Sequence, residues 1–214
     1  MVLRMPSGAG IHAPEHHSES TEALFAHTPG IRVVIPSSPA RAYGLLLSSI
    51  ADPDPVMFFE PTRLYRSAKE EVEDNGQGLP LDVCFILREG TDVTLVSWGA
   101  VVKETLAAAE QLAHEGISAE VIDVATVSPI DFDTILASVE KTGRLVIVHE
   151  APRNVGIGAE IAATIAERGL LFLHAPIERV TAPDTVVPLL RLEKAYMPSE
   201  NDIVEAARRV VTFA

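Results

Sequence analysis

A cluster of residues that can exchange protons occupies positions 8–20. It contains three histidines and two glutamates, in the order His12, Glu15, His16, His17 and Glu19. A single imidazole that titrates near neutrality can serve as a general acid or as a donor to a developing oxyanion. Imidazole and carboxylate groups also bind zinc, but Pro14 would break the helix that aligns His12 with His16. The spacing therefore disfavours a metal site.

The same cluster has an interpretation without chemistry. Ser18 or Ser20 would cap the following helix, Glu19 and Glu22 would favour the positive end of that helix, and the histidines would be solvated. Spacing alone favours this second interpretation.

Two other segments suggest ligand binding. Residues 154–160 resemble a dinucleotide-binding glycine turn, but Ile161 replaces the third small residue, so close packing explains the glycines better. Residues 48–55 end a predicted helix whose free carbonyl groups are potential ligands of a hard cation, with water as the commoner partner. The sequence has no Gly-x-Ser-x-Gly, Walker or Cys-x-x-Cys motif. The motifs that usually indicate a hydrolase or a nucleoside triphosphatase are therefore absent.

Short β-branched segments alternate with helical patterns, as in parallel α/β sheets, and these elements must position the polar cluster. The predicted strands are 2–5, 31–35, 56–60, 92–97, 119–124, 145–149 and 170–173. The predicted helices are 19–27, 38–51, 101–115, 132–141, 158–168 and 199–211. Ser38 and Ser199 are expected N-caps, and Gly143 is an expected helix end.

The helix over 101–115 is expected to bury one face, formed by Val102, Leu106, Ala109 and Ala113. The acidic, turn-rich stretch 69–90 is interpreted as a linker between residues 1–68 and residues 91–214. The first of these units has only three predicted strands and two helices. We therefore expect apolar surface beside residues 33–35 that no element of this chain covers.

The composition limits the classes of partner. The 214 residues are 47% apolar, and 30 acidic against 17 basic residues give a formal charge of −13. Without a basic stripe, binding to nucleic acid or to an anionic membrane is not expected. No segment approaches the roughly 18 uncharged residues of a membrane span. The single cysteine, Cys84, and the lack of a signal sequence predict a cytoplasmic protein with a structural thiol.

Several segments together resemble the beta subunit of the thiamine diphosphate-dependent first component of 2-oxo acid dehydrogenase complexes. They are Arg4-Met-Pro-Ser-Gly8, Glu15-His-His-Ser-Glu-Ser20, Phe25-Ala-His27, Phe58-Phe-Glu-Pro61, Leu64-Tyr-Arg66, Glu120-Val-Ile-Asp123, Lys141-Thr-Gly-Arg144, His149-Glu-Ala-Pro152 and Gly158-Ala-Glu-Ile161. Their order and separations match the family over essentially the whole chain. The segments at 58–61 and 64–66 look most like the branched-chain 2-oxo acid type.

This resemblance implies an α/β fold, with part of a thiamine-type pyrimidine-binding domain at 1–68 and a transketolase C-terminal-like domain at 91–214. It implies oxidative decarboxylation of a branched-chain 2-oxo acid, with acyl transfer to a lipoyl group. The implied assembly has two alpha and two beta subunits, which bind thiamine diphosphate and Mg²⁺ between chains and meet the lipoyl domain of the acyltransferase component.

The resemblance also assigns residues. His17 matches the family histidine that lines the active site and assists reductive acylation of the lipoyl group, and His16 is a neighbour with a lesser role. Ser49, Asp52 and Asp54 match positions whose backbone carbonyls hold a structural potassium ion.

One departure from the family limits these expectations. Roughly the first third of a family member has no counterpart here, including the glutamate that activates the aminopyrimidine. The 214-residue chain alone is therefore expected to be inactive. A non-catalytic assembly fragment and the pyruvate or acetoin version of the same subunit are the alternative hypotheses.

Overall fold

A computed structural model describes residues 1–67 and 69–213 and shows an α/β protein with two sheets. The strands are β1 (Val2–Ser7), β2 (Arg32–Val34), β3 (Val56–Pro61), β4 (Phe85–Arg88), β5 (Val93–Ser97), β6 (Ala119–Asp123), β7 (Thr126–Ser128), β8 (Leu145–Pro152) and β9 (Glu178–Ala182). The helices are α1 (Glu22–Ala26), α2 (Pro39–Ala51), α3 (Leu64–Ser67), α4 (Val102–His114), α5 (Phe132–Thr142), α6 (Ile157–Gly169), α7 (Glu193–Tyr196) and α8 (Glu200–Val211).

Two consecutive strands, β6 and β7, lie in different sheets and so connect the two sheets. The first has the order β1-β3-β2-β7, with β1, β3 and β2 parallel and β7 antiparallel to β2. The second has the order β4-β6-β5-β8-β9 and is parallel except for β4. Because β7 follows β6 directly, the chain crosses from the second sheet to complete the first.

The expectation of uncovered apolar surface beside residues 33–35 is wrong. Val33 and Ile35 belong to a buried cluster with Trp98 and Ile122, and Val34 packs against Leu45 of α2. All three residues of the segment are buried. Elements that follow residue 90 pack onto the first sheet and cover the apolar surface that was expected to be exposed.

Most helix ends are confirmed. Ser38 Oγ accepts a hydrogen bond from the Arg41 N–H (3.3 Å), and Ser199 forms a reciprocal capping box with Asp202. Gly143 ends α5 with a left-handed φ of 70°.

The predicted buried face of α4 is confirmed at Val102 and Ala109 but wrong at Leu106 and Ala113, which are exposed. Leu106 is exposed, whereas Thr105 and Leu112 are fully buried. A threonine is stable there because its hydroxyl donates to the Val101 carbonyl (3.0 Å). Because this bond satisfies the hydroxyl, a polar residue can lie on the buried face of the helix, which a purely apolar pattern does not predict.

The segment 170–173 is a 3₁₀ turn and not a strand, because the Leu173 N–H bonds back to the Leu170 carbonyl and the intervening Leu171 points into solvent. The strand beside β8 comes later, as β9. The stretch 69–90 contains β4, which its acidic, turn-rich composition did not predict. No helix within residues 1–67 and 69–213 is both long and apolar enough to cross a bilayer.

Asp123 provides a test of the packing at the end of β6. Its carboxyl is fully buried and accepts a hydrogen bond from Ser37 Oγ (2.5 Å), and burial raises its pKa to about 7. The folded protein therefore holds a proton that the unfolded chain releases between about pH 4 and pH 7. Stability from this group is present below pH 4 and is lost as the pH rises to 7.

We expect the free energy of unfolding of the wild type, relative to Asp123→Asn, to fall by about 4 kcal/mol across this window. Urea unfolding at each pH measures the difference, and Asp133→Asn is the exposed control. A constant difference between wild type and Asp123→Asn contradicts the assignment.

Candidate active site

The polar cluster forms a closed loop at the carboxyl end of β1. The Gly8 N–H donates to the Glu19 carbonyl (3.3 Å), so the two ends of residues 8–19 meet. Thr62 Oγ1, just after β3, donates to the Gly8 carbonyl (3.1 Å). We call residues 8–19 the histidine loop. It lies where parallel sheets commonly build their sites, at the carboxyl ends of their strands.

The tip of the histidine loop presents His16 and His17 to solvent. The Ala13 carbonyl accepts bonds from the His16 N–H and from Ser18 Oγ, both at 2.9 Å, which closes a tight turn. His17 follows this turn with a left-handed φ of 58°. Both imidazoles are exposed, so a group carried by another molecule can reach them.

The interpretation of Ser18 or Ser20 as a helix cap is wrong. The N-cap of α1 is Thr21, which makes no side-chain capping bond. Ser18 is buried because its hydroxyl holds the turn at Ala13. Its role is therefore to shape the histidine loop.

A partly buried ion cluster supports the histidine loop. The Arg63 guanidinium donates to both carboxylate oxygens of Glu104 in α4, and also to Glu150 of β8 (2.6 Å). Burial raises the pKa of Glu150, an effect that the positive charge of Arg63 opposes. One arginine thus joins the segment after β3 to two elements of the second sheet.

Two glycines allow the histidine loop to rest on this cluster. A Cβ atom on Gly10 would lie 2.4 Å from Arg63 Cδ, and one on Gly8 would lie 3.0 Å from a carboxylate oxygen of Glu150. Both glycines have a left-handed φ, 99° for Gly10 and 89° for Gly8. Any larger residue would lift the loop from its support.

A second buried layer lies behind the cluster. Trp98 Nε1 donates to Glu22 (3.1 Å), and the Trp98 ring stacks on His149 with centroids 5.1 Å apart. Burial raises the pKa of Glu22 and lowers the pKa of His149 to about 4. A cavity of about 20 Å³, the size for one water, is lined by Glu22, Glu150 and Trp98. This layer is buried and joined by stacking and a hydrogen bond, which suits a support.

The glycine turn at 154–160 packs against the same histidine. A Cβ on Gly158 would lie 2.6 Å from His149 Nε2, and one on Gly156 would lie 2.9 Å from His149 Cε1. This close approach confirms packing as the reason for these glycines. The turn also forms one wall of a mostly apolar cleft of about 760 Å³, whose opposite wall is α1 and Ser20.

The predicted cation turn lies at the other end of β3 from the histidine loop. Ser49 is buried and its hydroxyl donates to the Leu45 carbonyl (2.7 Å). Asp52 accepts from the Asp54 N–H (2.8 Å) and lies 3.3 Å from Arg32 Nε. These side chains are thus occupied by protein groups, which leaves the main-chain carbonyls as ligands.

The proline pattern fits carbonyl ligation. The helical donor to the Ser49 carbonyl would be residue 53, and the donor to the Ala51 carbonyl would be residue 55, but both are prolines without an N–H. Within residues 1–67 and 69–213, no three His, Cys, Asp or Glu side chains are grouped so as to hold a metal.

The histidines are candidate site residues from the sequence alone, whereas the residues that support their loop were not predicted. Arg63 and Glu150 lie beside or within the segments 64–66 and 149–152, and Trp98 is the single tryptophan. Their partners are more than 40 residues away in the chain, so no local spacing marks the contacts.

Comparison with known proteins identifies both halves of the chain. Residues 83–203 match the family model described as transketolase, C-terminal domain. The chain belongs to this family. Residues 1–68 match the model described as transketolase, pyrimidine binding domain. The predicted fold class is confirmed.

The relatives extend over the whole chain. The pyruvate dehydrogenase E1 component subunit beta of Bacillus subtilis is 49% identical over 213 residues, and that of Staphylococcus epidermidis is 48% identical. Each alignment covers 100% of this chain and 66% of the relative. A solved structure, described as a split gene transketolase in an inactive beta4 tetramer, has a TM-score of 0.79 and 26% identity, over 99% of this chain and 65% of its own.

The ion cluster generates a stability prediction. Arg63→Met leaves Glu104 and Glu150 without their cation, so we expect a loss of about 3 to 5 kcal/mol in the free energy of unfolding at pH 7.5. The loss should shrink as the pH falls, because burial raises the pKa of Glu150 and a protonated Glu150 no longer needs the cation. Arg88→Met, which breaks an exposed pair with Glu110, is the control and should cost about 1 kcal/mol or less. Equal losses for the two variants would show that the cluster does not hold the fold together.

Proposed function

We propose that this chain acts as part of the beta subunit of a 2-oxo acid dehydrogenase first component, which decarboxylates a 2-oxo acid oxidatively and passes the acyl group to lipoyl. The observation that carries the proposal is the near 50% identity to pyruvate dehydrogenase E1 beta subunits across all of this chain. The exposed pair His16 and His17 on the histidine loop provides candidate reactive groups for this function. The reaction requires an alpha subunit and a second beta subunit.

In this proposal His17 donates a proton to the sulfur that leaves the dithiolane ring of lipoyl, and His16 assists it. Such a donor must be exposed to a group on another protein, as both imidazoles are. The partner that brings the dithiolane is the lipoyl domain of the acyltransferase component.

Thiamine diphosphate supplies the electron sink for decarboxylation. The cleft beside the histidine loop fits such a group, because its volume of about 760 Å³ suits a cofactor and its apolar walls carry a few polar side chains. Ser20, His27, Ser128, Asn154 and Glu160 are the polar residues of its lining, and the first four would orient the cofactor there. The Mg²⁺ that accompanies the diphosphate would be shared with the alpha subunit.

Two substrates are in question. The sequence motifs favour a branched-chain 2-oxo acid, whereas the relatives named above carry the name pyruvate dehydrogenase. We propose pyruvate first, since whole-chain identity is broader support than two short motifs.

A second candidate function is assembly without catalysis. It is favoured by the structural neighbour, which is described as an inactive tetramer. The two candidates differ in whether turnover appears when an alpha subunit is added. The cytoplasmic location predicted from the sequence stays a prediction.

The test joins the chain to the N-terminal third of a related beta subunit, which supplies the glutamate that has no counterpart in these 214 residues. It mixes this subunit with the alpha subunit of a related pyruvate dehydrogenase, thiamine diphosphate and Mg²⁺, and follows reduction of an artificial acceptor. We expect turnover in the mixture with pyruvate, and none with either chain alone. Faster turnover with 2-oxoisovalerate would restore the branched-chain assignment. A stable complex without turnover on either substrate would favour the assembly candidate.

The role of His17 predicts a separation of two activities in the assembled enzyme. His17→Ala should slow acyl transfer to a lipoyl domain by about 100-fold and change artificial-acceptor turnover by less than about twofold. His114→Ala, an exposed histidine on α4, is the control for a general effect of histidine loss. Equal loss of both activities would argue that His17 is not the donor.

We also propose that the carbonyls of Ser49, Asp52 and Asp54 hold potassium. Potassium should raise the melting temperature of the chain relative to choline at equal ionic strength, because a ligand of the folded state stabilises it. Sodium serves as the size control. Identical melting curves in the three salts would remove the site.

A further inference from the structure

A single carboxylate from the C-terminal part of the chain grips the histidine loop. Glu193 lies in α7, and its side chain is 1% exposed. Its Oε1 accepts from the Gly10 N–H (2.6 Å), and its Oε2 accepts from the His12 N–H (2.9 Å). His12 Nδ1 is also 2.5 Å from Oε2. Three nitrogen atoms of the loop therefore meet one carboxylate that lies more than 180 residues later in the chain.

We propose that Glu193 is a positioning residue, which fixes the histidine loop so that His16 and His17 face the incoming acyl acceptor. This inference rests on the proposed function for the identity of the acceptor. The grip itself is a property of the described contacts and can be measured without any activity.

The left-handed backbone of the histidine loop presents N–H groups that need a hydrogen-bond acceptor. Gly10 and His12 both have a left-handed φ, 99° and 62°, and a non-glycine residue in this region is strained. Alternating left-handed residues turn successive N–H groups to one side, where an anion can accept from them. Glu193 provides that anion, and its two oxygens hold the strained conformation.

An apolar contact fixes the same place. Ala9, between the gripped residues and β1, packs into a small cluster with Ala182, Val187 and Tyr196. Burial raises the pKa of Tyr196 to about 12, so the ring stays neutral in this cluster. The C-terminal segment thus holds the loop through both a carboxylate and an apolar surface.

The loop is held from two independent directions. Arg63 lies under Gly10, on the side of the ion cluster, and Glu193 approaches from α7. The grip ends at His12, four residues before His16. Restricting the base of a short loop limits the positions that its tip samples, and correct placement of a proton donor can account for a large part of its rate effect.

A carboxylate can accept from both backbone N–H donors at once, because each of its oxygens is an acceptor. In Glu193→Gln one oxygen becomes an NH₂ group, which would face an N–H donor of the loop and repel it. In Glu193→Asp the carboxylate keeps its charge but is one methylene shorter. Glu140→Gln, an exposed glutamate on α5, is the matched control.

The first experiment measures amide hydrogen exchange in the 214-residue chain. In Glu193→Gln, the amides of Gly10 and His12 should exchange at least about tenfold faster, while core amides such as Val96 keep their wild-type rate. Glu140→Gln should match the wild type throughout. Unchanged rates at Gly10 and His12, or a uniform increase that includes Val96, would overturn the proposed grip.

The second experiment uses the assembled enzyme. Glu193→Gln should lower kcat for acyl transfer to a lipoyl domain, leave KM for the 2-oxo acid unchanged, and spare artificial-acceptor turnover, with Glu193→Asp intermediate. If His17→Ala impairs acyl transfer but Glu193→Gln does not, the positioning role is wrong and the proposed function stands. If His17→Ala also has no effect, the proposed function fails, and the exchange data alone decide whether Glu193 holds the loop.

Discussion

The pairing of Arg63 with Glu104 and Glu150 is the interaction on which the site depends. It places a cation between two carboxylates in a partly buried position, where each partner would be costly without the others. The arginine follows β3 of the first sheet, and the glutamates belong to the layer of the second sheet. The two sheets are thereby fixed relative to each other at the point where the histidine loop leaves β1.

The histidine loop follows from this constraint. Gly8 and Gly10 have no side chains because the cluster lies directly against them, and Glu193 holds the loop through the backbone N–H of Gly10. The result combines a rigid base with an exposed tip at His16 and His17. That combination suits proton transfer to a group carried by another protein, since the donor is placed but not enclosed.

The sequence predicted what local pattern controls. Ser38 and the α/β alternation were predicted because caps and periodicity depend on neighbouring residues. The buried face of α4 was predicted only in part, because the hydroxyl of Thr105 is satisfied within its own helix, which a purely apolar pattern does not anticipate. His17 was found through its residue type and a family resemblance. Glu193 was missed because its contacts join residues 10 and 12 to residue 193, and no spacing along the chain shows that.

We propose that other chains complete the site to which the exposed histidines belong. Modification of histidines by diethyl pyrocarbonate, mapped by mass spectrometry, tests it in the free chain and in the mixture with an alpha subunit, thiamine diphosphate and a lipoyl domain. We expect His16 and His17 to react in the free chain and to become protected in the mixture. His114 on α4 should react equally in both. If His16 and His17 stay as reactive in a demonstrated complex as in the free chain, the histidine loop is not part of the shared site.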